Sequence, residues 1–499
     1  MSAVIDLRTC LERRGYGISK AMLETTLPSL RQTLTVKPIN IMEEFLANSK
    51  NPPPDSSFPV YVETDDTIFV PKAYGLKHYG APSRVDLPDG ADIHIDFRGE
   101  LRPSQEGPAN AFLDAAKDTS KMGGLVNLAC AGGKTVIALY IISKLAKKTI
   151  IVCHKEFLIT QWQERIAQFL PTARVGIIKA KQCDVENKDI VIASIQSISM
   201  KEYHPSTFQD FALSVYDECH HTSAAVFSRV FRIACTRYTL GLSATLERKD
   251  GLTRVFKWQI GDVVHDTSTI KCVTKGEVHV VVMPYYNASP TYSQTHTIFG
   301  GQKPNISRMI NNICEFEPRI DFVVDCVTKI LQDEKGRKVL LLSDRRGHLE
   351  ELRSKLASAN VEAGLYYGGL KPDVLRESEK KSVLLGTYAY VSEGFDNKEL
   401  NTIILASPKS DIVQVVGRIL RTPIEERHFK PLVVDIVDKF SMFPSQAKAR
   451  LRYYRSQGYS ISSVNTNESM QPLAKLMNAV VESTKPTTSA TKACLFVDD

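Results

Sequence analysis

The chain has 499 residues, of which 43% are hydrophobic and 24% are charged, and its formal net charge is +7. That length suffices for about three domains, and the mild positive charge permits a polyanionic partner without requiring one. The ten cysteines are scattered and include no CxxC pair, which disfavours a disulfide framework and a zinc ribbon. No apolar run reaches the length of a membrane span and no signal-like N-terminus is present. We therefore expect an intracellular, soluble protein with no membrane partner.

The first 98 residues differ in sequence pattern from the rest of the chain, and this pattern predicts a small α+β accessory domain. A short helix is expected from about residue 40 to 49, ending before Asn51-Pro-Pro-Pro54, which a helix cannot cross. Strands separated by Gly, Pro and Asp turns are expected at 58–62, 67–70 and 93–97. This segment contains no catalytic constellation, so we assign it no chemistry.

From residue 99 onward, apolar strand-like runs alternate with helix-length segments. The runs lie at 148–153, 174–178, 189–193, 212–216 and 238–242. Runs that are nearly all β-branched or apolar predict a parallel sheet buried on both faces. Ligands of such sheets bind at the carboxyl ends of the strands. The residues that follow each strand are therefore the candidates for chemistry.

Residues 125–137 predict a strand, a turn of small residues and an apolar helix. Small residues let backbone N–H groups face a phosphate, and the start of a helix favours negative charge. Lys134 would neutralise the β- and γ-phosphates, and the Thr135 hydroxyl would reach Mg²⁺. The match is partial because Leu128 replaces the first glycine of the generic phosphate-loop motif. A strand–turn–helix with a chance Gly-Gly-Lys-Thr is the alternative.

An acidic pair, Asp217 and Glu218, follows the strand that ends at Tyr216. Asp217 would hold Mg²⁺, and Glu218 would orient and polarise an attacking water. A zinc cluster from residues 219–221 and a solvated loop are the alternatives. Three adjacent residues do not easily converge on one tetrahedral ion, which disfavours zinc. The tripeptide Ser243-Ala-Thr245 ends the next strand, and alone it is equally typical of a helix N-cap.

A second α/β block follows a polar stretch at about 285–304. Its strands are expected at 338–342, 383–386, 401–405 and 431–435. It has no phosphate loop, but Gln414, Arg418 and Arg421 recur at helical spacing and share one face. Arginines that reach the γ-phosphate held by the first block would contribute roughly 10³–10⁵ in rate. An amphipathic helix with solvated arginines is the alternative.

Taken in order, these motifs resemble those of a superfamily 2 DExH-box helicase over about residues 101–451. The resemblance implies an α/β fold with two tandem RecA-like parallel-sheet domains, ATP and Mg²⁺ as cofactors, and a small N-terminal accessory domain. The implied division is an accessory domain at 1–98, a first RecA-like domain at 99–285, a connector at 286–318, a second RecA-like domain at 319–458, and a polar, partly disordered tail at 459–499.

The resemblance also implies site residues. Its catalytic residues are Lys134, Asp217, Glu218, Gln414, Arg418 and Arg421. Its nucleotide-binding residues are Gln105, Ala131, Gly132, Gly133, Lys134, Thr135, Asp217 and Asp396, with Thr135 and Asp217 toward the metal. Its coupling residues are Ser243, Ala244 and Thr245. The chain departs from the family at Ala131, where glycine is usual.

Contacts to nucleic acid are implied as well, at His154, Lys155, Gln196, Ser197, Arg345 and Thr387. Contacts of this kind go to backbone phosphates, which carry little sequence information. We therefore expect weak sequence preference and strong salt dependence of binding. For Arg345 and its neighbour Arg346, an exposed basic turn is an equal alternative.

The segment Gly241–Gly251 and the accessory domain resemble the XPB-like branch, while 387–396 and 411–421 resemble helicases of large nucleocytoplasmic DNA viruses, whose poxvirus members act in transcript release. The prediction is a monomeric ATP-dependent helicase or translocase acting on DNA in viral transcription or replication. A transcription-machinery partner and a place in the host cytoplasm or nucleus, or in the virion, follow from that resemblance. The alternatives are a catalytically weak remodelling factor that binds nucleic acid, an RNA-directed DExH ATPase, and a P-loop kinase or GTPase. The last lacks an Asn-Lys-x-Asp guanine reader.

Overall fold

The computed structural model describes residues 9–39, 56–128, 132–218, 224–244, 251–267, 276–298, 303–395, 397–420, 422 and 426–464. The chain divides into two compact units, Met1–Ile270 and Lys271–Asp499. The helix predicted at 40–49 and the tail beyond residue 464 lie outside the described residues. In the described part of the chain, no helix combines the length and apolarity needed to cross a membrane.

The first unit begins with a mostly antiparallel five-stranded sheet. Its strands are β1 (Thr9–Glu12), β2 (Gly15–Ser19), β5 (Val62–Glu63), β6 (Thr67–Val70) and β7 (Arg84–Val85), in the order β5-β6-β2-β1-β7. A separate antiparallel pair joins β3 (Thr35–Val36) to β4 (Phe58–Pro59). Helices Leu27–Thr33 and Lys72–Tyr79 flank these strands. Leu252 and Val255 share the buried core of this sheet, so the accessory domain is packed on helix Thr253–Ile260.

The predicted strand at 93–97 does not form. Ile93 and Ile95 are buried in the core of the following sheet, and the Ile93 N–H donates to the Ala146 carbonyl at the end of a helix. The apolar residues alternate as predicted, but among the described residues no strand pairs with this segment, and only the adjacent Asp92 forms an isolated bridge, to Lys147.

The centre of the first unit is an eight-stranded sheet. Its strands are β8 (Gly123–Asn127), β9 (Thr149–Cys153), β10 (Val175–Lys179), β11 (Gln182–Cys183), β12 (Ile190–Ser194), β13 (Leu213–Asp217), β14 (Tyr238–Ser243) and β15 (Val263–Asp266). The order is β11-β10-β12-β9-β13-β14-β8-β15, and only the β10–β11 pair is antiparallel. The helices are Pro103–Lys117, Lys134–Leu145, Glu156–Phe169, Ile195–Met200, Ala224–Ile233 and Thr253–Ile260. Two apolar cores cover its two faces, as the sequence predicted for a buried parallel sheet.

The second unit contains a seven-stranded, entirely parallel sheet. Its strands are β16 (His279–Tyr285), β19 (Val339–Ser343), β20 (Ala363–Tyr366), β21 (Val383–Thr387), β22 (Thr402–Leu405), β23 (Leu432–Asp438) and β24 (Ser460–Ser463), in the order β20-β21-β19-β22-β23-β16-β24. A small hairpin joins β17 (Thr297–Ile298) to β18 (Lys303–Pro304). The helices are Pro290–Ser293, Ile306–Glu315, Glu317–Asp333, Arg346–Ser358, Pro372–Glu379, Tyr388–Gly394, Val413–Val416 and Phe443–Ser456.

The structure moves two predicted domain boundaries. β16 was assigned to the first domain, which was expected to end at residue 285, yet it pairs with β23 and β24 in the second sheet. The predicted tail was expected to begin at residue 459, yet β24 is a strand of the same sheet. Both errors concern strands whose partners are distant along the chain, and a local pattern does not reveal such partners.

Two buried ion pairs hold the second unit together on strand β23. Arg319 Nε lies 2.7 Å from Asp438 Oδ1, and both side chains are fully buried. The Tyr292 hydroxyl donates to the same carboxylate at 2.7 Å. Three residues earlier on the strand, Asp435 forms the other pair with Arg450, at 2.7 Å. The Tyr292–Asp438 hydrogen bond therefore ties the segment predicted as a connector to the sheet.

Candidate nucleotide-binding site

Three strand ends meet at one edge of the eight-stranded sheet. β13, β14 and β8 are parallel neighbours, so Asp217, Ser243 and the turn after Asn127 lie side by side at their carboxyl ends. The Leu128 N–H donates to the Ser243 carbonyl at 2.9 Å, which joins the coupling motif to the start of the phosphate loop. The sheet thus brings together motifs that are far apart in sequence.

Lys134 begins the helix Lys134–Leu145, directly after Gly133, which is left-handed with φ +79°. The Lys134 ammonium forms an ion pair with Glu218 Oε1, and the two side chains are 16% and 15% exposed. Glu218 itself has a left-handed φ of +47°, a conformation that is uncommon for a residue with a side chain. The ammonium is therefore already aimed at an anionic oxygen beside a helix N-terminus, where a phosphate would compete with Glu218.

Gln105 lies against the phosphate loop. It is 2% exposed, and its Oε1 accepts a hydrogen bond from the Arg102 N–H at 2.9 Å, which caps the helix Pro103–Lys117. A Cβ added to Gly133 would stand 2.0 Å from Gln105 Nε2. The close approach explains why residue 133 has no side chain. Gly132 is half-buried, and Ala131 lies outside the described residues.

Asp217 is held by a residue that the sequence analysis did not single out. The indole Nε1–H of Trp162 donates to Asp217 Oδ2 at 3.0 Å, and Trp162 is 1% exposed. Burial and the charge of Glu218 raise the pKa of Asp217, while Lys134 and the Trp162 hydrogen bond act to lower it. Trp162 lies on the buried face of helix Glu156–Phe169 and reads as a core residue. The sequence contains one hint of its contact with Asp217, which is that a buried indole N–H needs a hydrogen-bond acceptor.

The side-chain oxygens at these strand and helix ends suit a magnesium ion that is also bound by phosphates and water, rather than a metal site formed by protein ligands alone. Among the described residues no group of three or more His, Cys, Asp or Glu side chains could hold a metal. Mg²⁺ commonly takes one or two protein oxygens and completes its shell with phosphates and water. Asp217 and the half-buried Thr135, on the first turn of the helix that Lys134 begins, provide such a pair. Residues 219–221, the alternative zinc ligands, lie outside the described part.

The predicted nucleic-acid contacts of the first unit have different surroundings. Gln196 is exposed, and its Nε2 donates to the His154 carbonyl at 3.0 Å, so these two residues adjoin at the ends of β12 and β9. His154 and Lys155 are half-buried. Ser197 is 7% exposed, and its hydroxyl accepts from the Ala180 N–H at 2.9 Å. Ser197 therefore has a structural contact, whereas Gln196 faces solvent.

In the second unit, the segment 413–420 is not the single helix that the spacing predicted. A short helix, Val413–Val416, passes into a 3₁₀ turn, Gly417–Leu420. Gln414 and Arg418 are half-buried. The Arg418 guanidinium donates to the carbonyls of Ser392 and, at 2.8 Å, Phe395. It thus binds the end of helix Tyr388–Gly394, just before Asp396, which was predicted to bind nucleotide.

Other predicted residues of this unit are partly accounted for. Thr387 is half-buried and ends β21 as the N-cap position of helix Tyr388–Gly394. Arg345 donates to Asn311 Oδ1 at 2.5 Å and to the Ser307 carbonyl at 3.0 Å, so its guanidinium is bound to helix Ile306–Glu315. The remaining predicted residues Arg421, Asp396 and Thr245 lie outside the described part of the chain, whereas Ala244 is buried.

Comparison with known proteins agrees with this arrangement. Residues 98–248 match the family described as Type III restriction enzyme, res subunit. A protein of Acanthamoeba polyphaga mimivirus, named as an ATP-dependent RNA helicase, is 32% identical over 483 residues, which cover 95% of this chain and 90% of that protein. A protein of African swine fever virus with the same kind of name is 28% identical over 357 residues, covering 66% and 68%.

The fold agrees as well. The structure of S. cerevisiae Dbp5 bound to RNA and ADP BeF3 matches with a TM-score of 0.53 at 13% identity, over 76% of this chain and 97% of that one. This likeness confirms the predicted pair of RecA-like domains. The chain belongs to the superfamily 2 helicases. Within them, as the sequence motifs predicted, it groups with helicases of large nucleocytoplasmic DNA viruses.

Proposed function

We propose that this protein is an ATP-dependent helicase or translocase that hydrolyses ATP at the edge of the eight-stranded sheet and moves along DNA. The observation that carries the proposal is the cluster of Lys134, Glu218, Asp217 and Trp162 beside a helix N-terminus. A cation aimed at an anionic oxygen and two carboxylates at adjacent positions are what phosphoryl transfer to water requires.

In this proposal the ion pair of Lys134 with Glu218 is the resting state of the site. The terminal phosphates of ATP replace Glu218 at the Lys134 ammonium, and the released carboxylate orients a water toward the γ-phosphorus. Attack forms one P–O bond, breaks the bond to the β-phosphate oxygen and leaves a proton for the carboxylate or the product phosphate. Mg²⁺, held by Thr135 and Asp217, neutralises phosphate charge when bound.

The second unit supplies the remaining charges in this proposal. Gln414, Arg418 and Arg421 stabilise the charge that develops on the γ-phosphoryl group, as the family resemblance implies. For Arg418 this requires an exchange of partners, because its guanidinium now binds the carbonyls of Ser392 and Phe395. Since these carbonyls belong to the segment that precedes Asp396, ATP binding and the position of that segment are linked.

RNA is the second candidate for the polynucleotide, because the viral relatives carry the names of RNA helicases. For the biological setting we propose a monomer that acts in viral transcription or replication, with the transcription machinery as partner. It would work within the host cell, in the cytoplasm or nucleus, and be carried in the virion.

The test is ATP hydrolysis measured without polynucleotide and with single-stranded DNA, duplex DNA or RNA. We expect stimulation by polynucleotide, and loss of turnover by at least about a hundredfold in Lys134→Ala, on the scale of a lost charge-assisted contact in the transition state. Lys144→Ala is the matched control, because Lys144 is exposed at the other end of the same helix. Arg418→Ala is expected to lower kcat more than it raises KM.

ATP hydrolysis that polynucleotide does not stimulate, or that persists in Lys134→Ala, contradicts the proposal. Strand displacement with overhangs of either polarity then separates unwinding from translocation. If RNA stimulates ATP hydrolysis and neither single-stranded nor duplex DNA does, the polynucleotide is RNA, the second candidate.

A further inference from the structure

A basic groove lies in the first unit, away from the phosphate loop. Its volume is about 710 Å³, within the range of sites that hold small organic ligands. Arg13, in the turn between β1 and β2, lines the groove together with residues 201–204, Phe208 and the C-terminal part of helix Ala224–Ile233. The residues that matter here are Arg13, Lys201, Tyr203, Phe208, Arg229 and Arg232.

The charge of this groove is strongly one-sided. Its lining, all within the described residues, holds Arg13, Lys201, Arg229 and Arg232 against one carboxylate, that of Glu202. Burial and then the neighbouring charge of Arg229 lower the pKa of Arg232, so the two guanidinium groups repel each other. Clusters of like charge facing a groove favour a polyanionic ligand, which relieves the repulsion.

A buried lysine, Lys72, adds positive charge next to the groove. A smaller void adjoins the groove, because Arg13 and Arg232 line both. Lys72 lines it too, and its ammonium donates to the carbonyls of Thr236 and Arg237 at 3.1 Å and to Thr239 Oγ1 at 2.6 Å. These partners are uncharged, and burial lowers the pKa of Lys72 to about 8, so near neutral pH the ammonium still carries a positive charge that none of these contacts neutralises.

The groove also presents one aromatic ring, that of the half-buried Tyr203. Phe208 is only 3% exposed and belongs to the buried core, and its ring supports that of Tyr203 edge to face at 5.3 Å. The Tyr203 hydroxyl donates to the Ser197 carbonyl at 2.9 Å, which holds the ring in place. Rings beside a row of cations are typical of proteins that bind single strands, because bases stack on the rings while phosphates bind the cations.

The position of the groove connects it to the rest of the site. Helix Ile195–Met200 leads from Gln196, a predicted nucleic-acid contact, to Lys201 in the groove. Six helical residues span about 9 Å, the length of two to three nucleotides at about 3.4 Å each. Arg229 and Arg232 lie on the helix that follows the Asp217-Glu218 segment.

We infer that this groove binds a single-stranded segment of the polynucleotide, continuing the path that begins at Gln196. The inference rests on the proposed function in that it takes nucleic acid as the ligand. It adds a contact surface to which the accessory domain contributes Arg13, and it gives that domain a role in gripping the strand.

The experiment measures equilibrium binding of fluorescent single-stranded oligonucleotides over a range of salt concentrations. For the double variant Lys201→Gln/Arg229→Gln we expect weaker binding, with the slope of log K against log salt smaller by about 1.4, since each lost phosphate contact removes about 0.7 for a single strand. Lys117→Gln/Lys121→Gln is the control of equal charge, because both lysines are exposed elsewhere in the unit. It should leave the slope unchanged.

Arg229→Lys keeps the positive charge, so the slope of log K against log salt is expected to stay close to that of the wild-type protein. ATP hydrolysis without polynucleotide should be the same in all variants, which shows that the nucleotide site is intact. A double variant that binds with the wild-type slope overturns the inference, and so does a loss confined to duplex. If the wild-type protein binds no polynucleotide at all, the proposed function fails instead.

Discussion

Replacing Trp162 with Phe tests whether a buried indole controls the ionisation of Asp217. The substitution keeps an aromatic ring in the core and removes the N–H that donates to Asp217 Oδ2 at 3.0 Å. Burial and Glu218 already raise the pKa of Asp217. Loss of a hydrogen bond that favours the charged form raises it further, so the carboxylate ionises only at higher pH.

The size of the effect follows from the charge of the acceptor. A hydrogen bond to a charged group contributes about 1.5–3 kcal/mol. If ATP hydrolysis needs Asp217 ionised, the activity lost as pH falls should therefore be lost at higher pH in the variant. In the range where the wild-type carboxylate is ionised and that of the variant is not, kcat should be lower by roughly tenfold or more, since each 1.36 kcal/mol corresponds to a factor of ten.

The assay is polynucleotide-stimulated ATP hydrolysis across the acid and neutral range, repeated at several Mg²⁺ concentrations. Trp162→Phe should shift the acid limb upward and raise the Mg²⁺ requirement. The matched control is Trp258→Phe, because the chain has two tryptophans and Trp258 contacts Tyr74 and Arg254 instead. Each variant keeps one indole, whose fluorescence reports the folded state.

An unchanged acid limb in Trp162→Phe, in protein that unfolds at the wild-type temperature, would refute the reasoning. A uniform fall in kcat at every pH would also refute it, since packing loss alone predicts that pattern. An equal shift in Trp258→Phe would show that the change is not specific to the hydrogen bond.

Two further predictions concern stability. Gly133→Ala should destabilise the first unit and weaken ATP binding, because φ is +79° and the new Cβ would stand 2.0 Å from Gln105 Nε2; thermal unfolding and nucleotide titration measure this. The left-handed conformation of residue 133 by itself costs an alanine roughly 1–2 kcal/mol, so a loss of stability no larger than that would contradict the role of Gln105. Arg319→Met should lower the free energy of unfolding by about 3–5 kcal/mol, because the buried Asp438 carboxylate loses its ion-pair partner. In urea unfolding, Arg319→Met/Asp438→Asn should recover part of that loss, and a double variant as unstable as the single one would count against the buried charge as the cause.

The sequence by itself determined the class of fold and the likeness to superfamily 2 helicases. Runs such as 149–153 and 190–194 are apolar on both faces, and this property predicts buried parallel strands without knowledge of their neighbours. Parallel strands align their carboxyl ends, so the motifs after Asn127, Tyr216 and Leu242 were expected at one edge. The structure has them there. These predictions succeeded because each depends on local pattern and chain order.

Only the tertiary structure decided which sheet each distant strand joins. His279–Tyr285 joins the second sheet by pairing with β23, and Ser460–Ser463 joins it by pairing with His279–Tyr285. Residues 93–97 pair with no strand in the described part of the chain. The spacing of Gln414 and Arg418 predicted one helix, whereas tertiary contacts such as those of Arg418 accompany a 3₁₀ turn.

The contacts of individual polar side chains were likewise decided by the fold. Ser197 bonds to Ala180 and Arg345 to Asn311, although both residues occupy positions typical of nucleic-acid contacts. Trp162 looked like one more apolar residue of a helix until the fold brought its N–H to Asp217. A hydrogen bond between residues 55 positions apart depends on the packing of helix against sheet, and periodicity records only which face is buried.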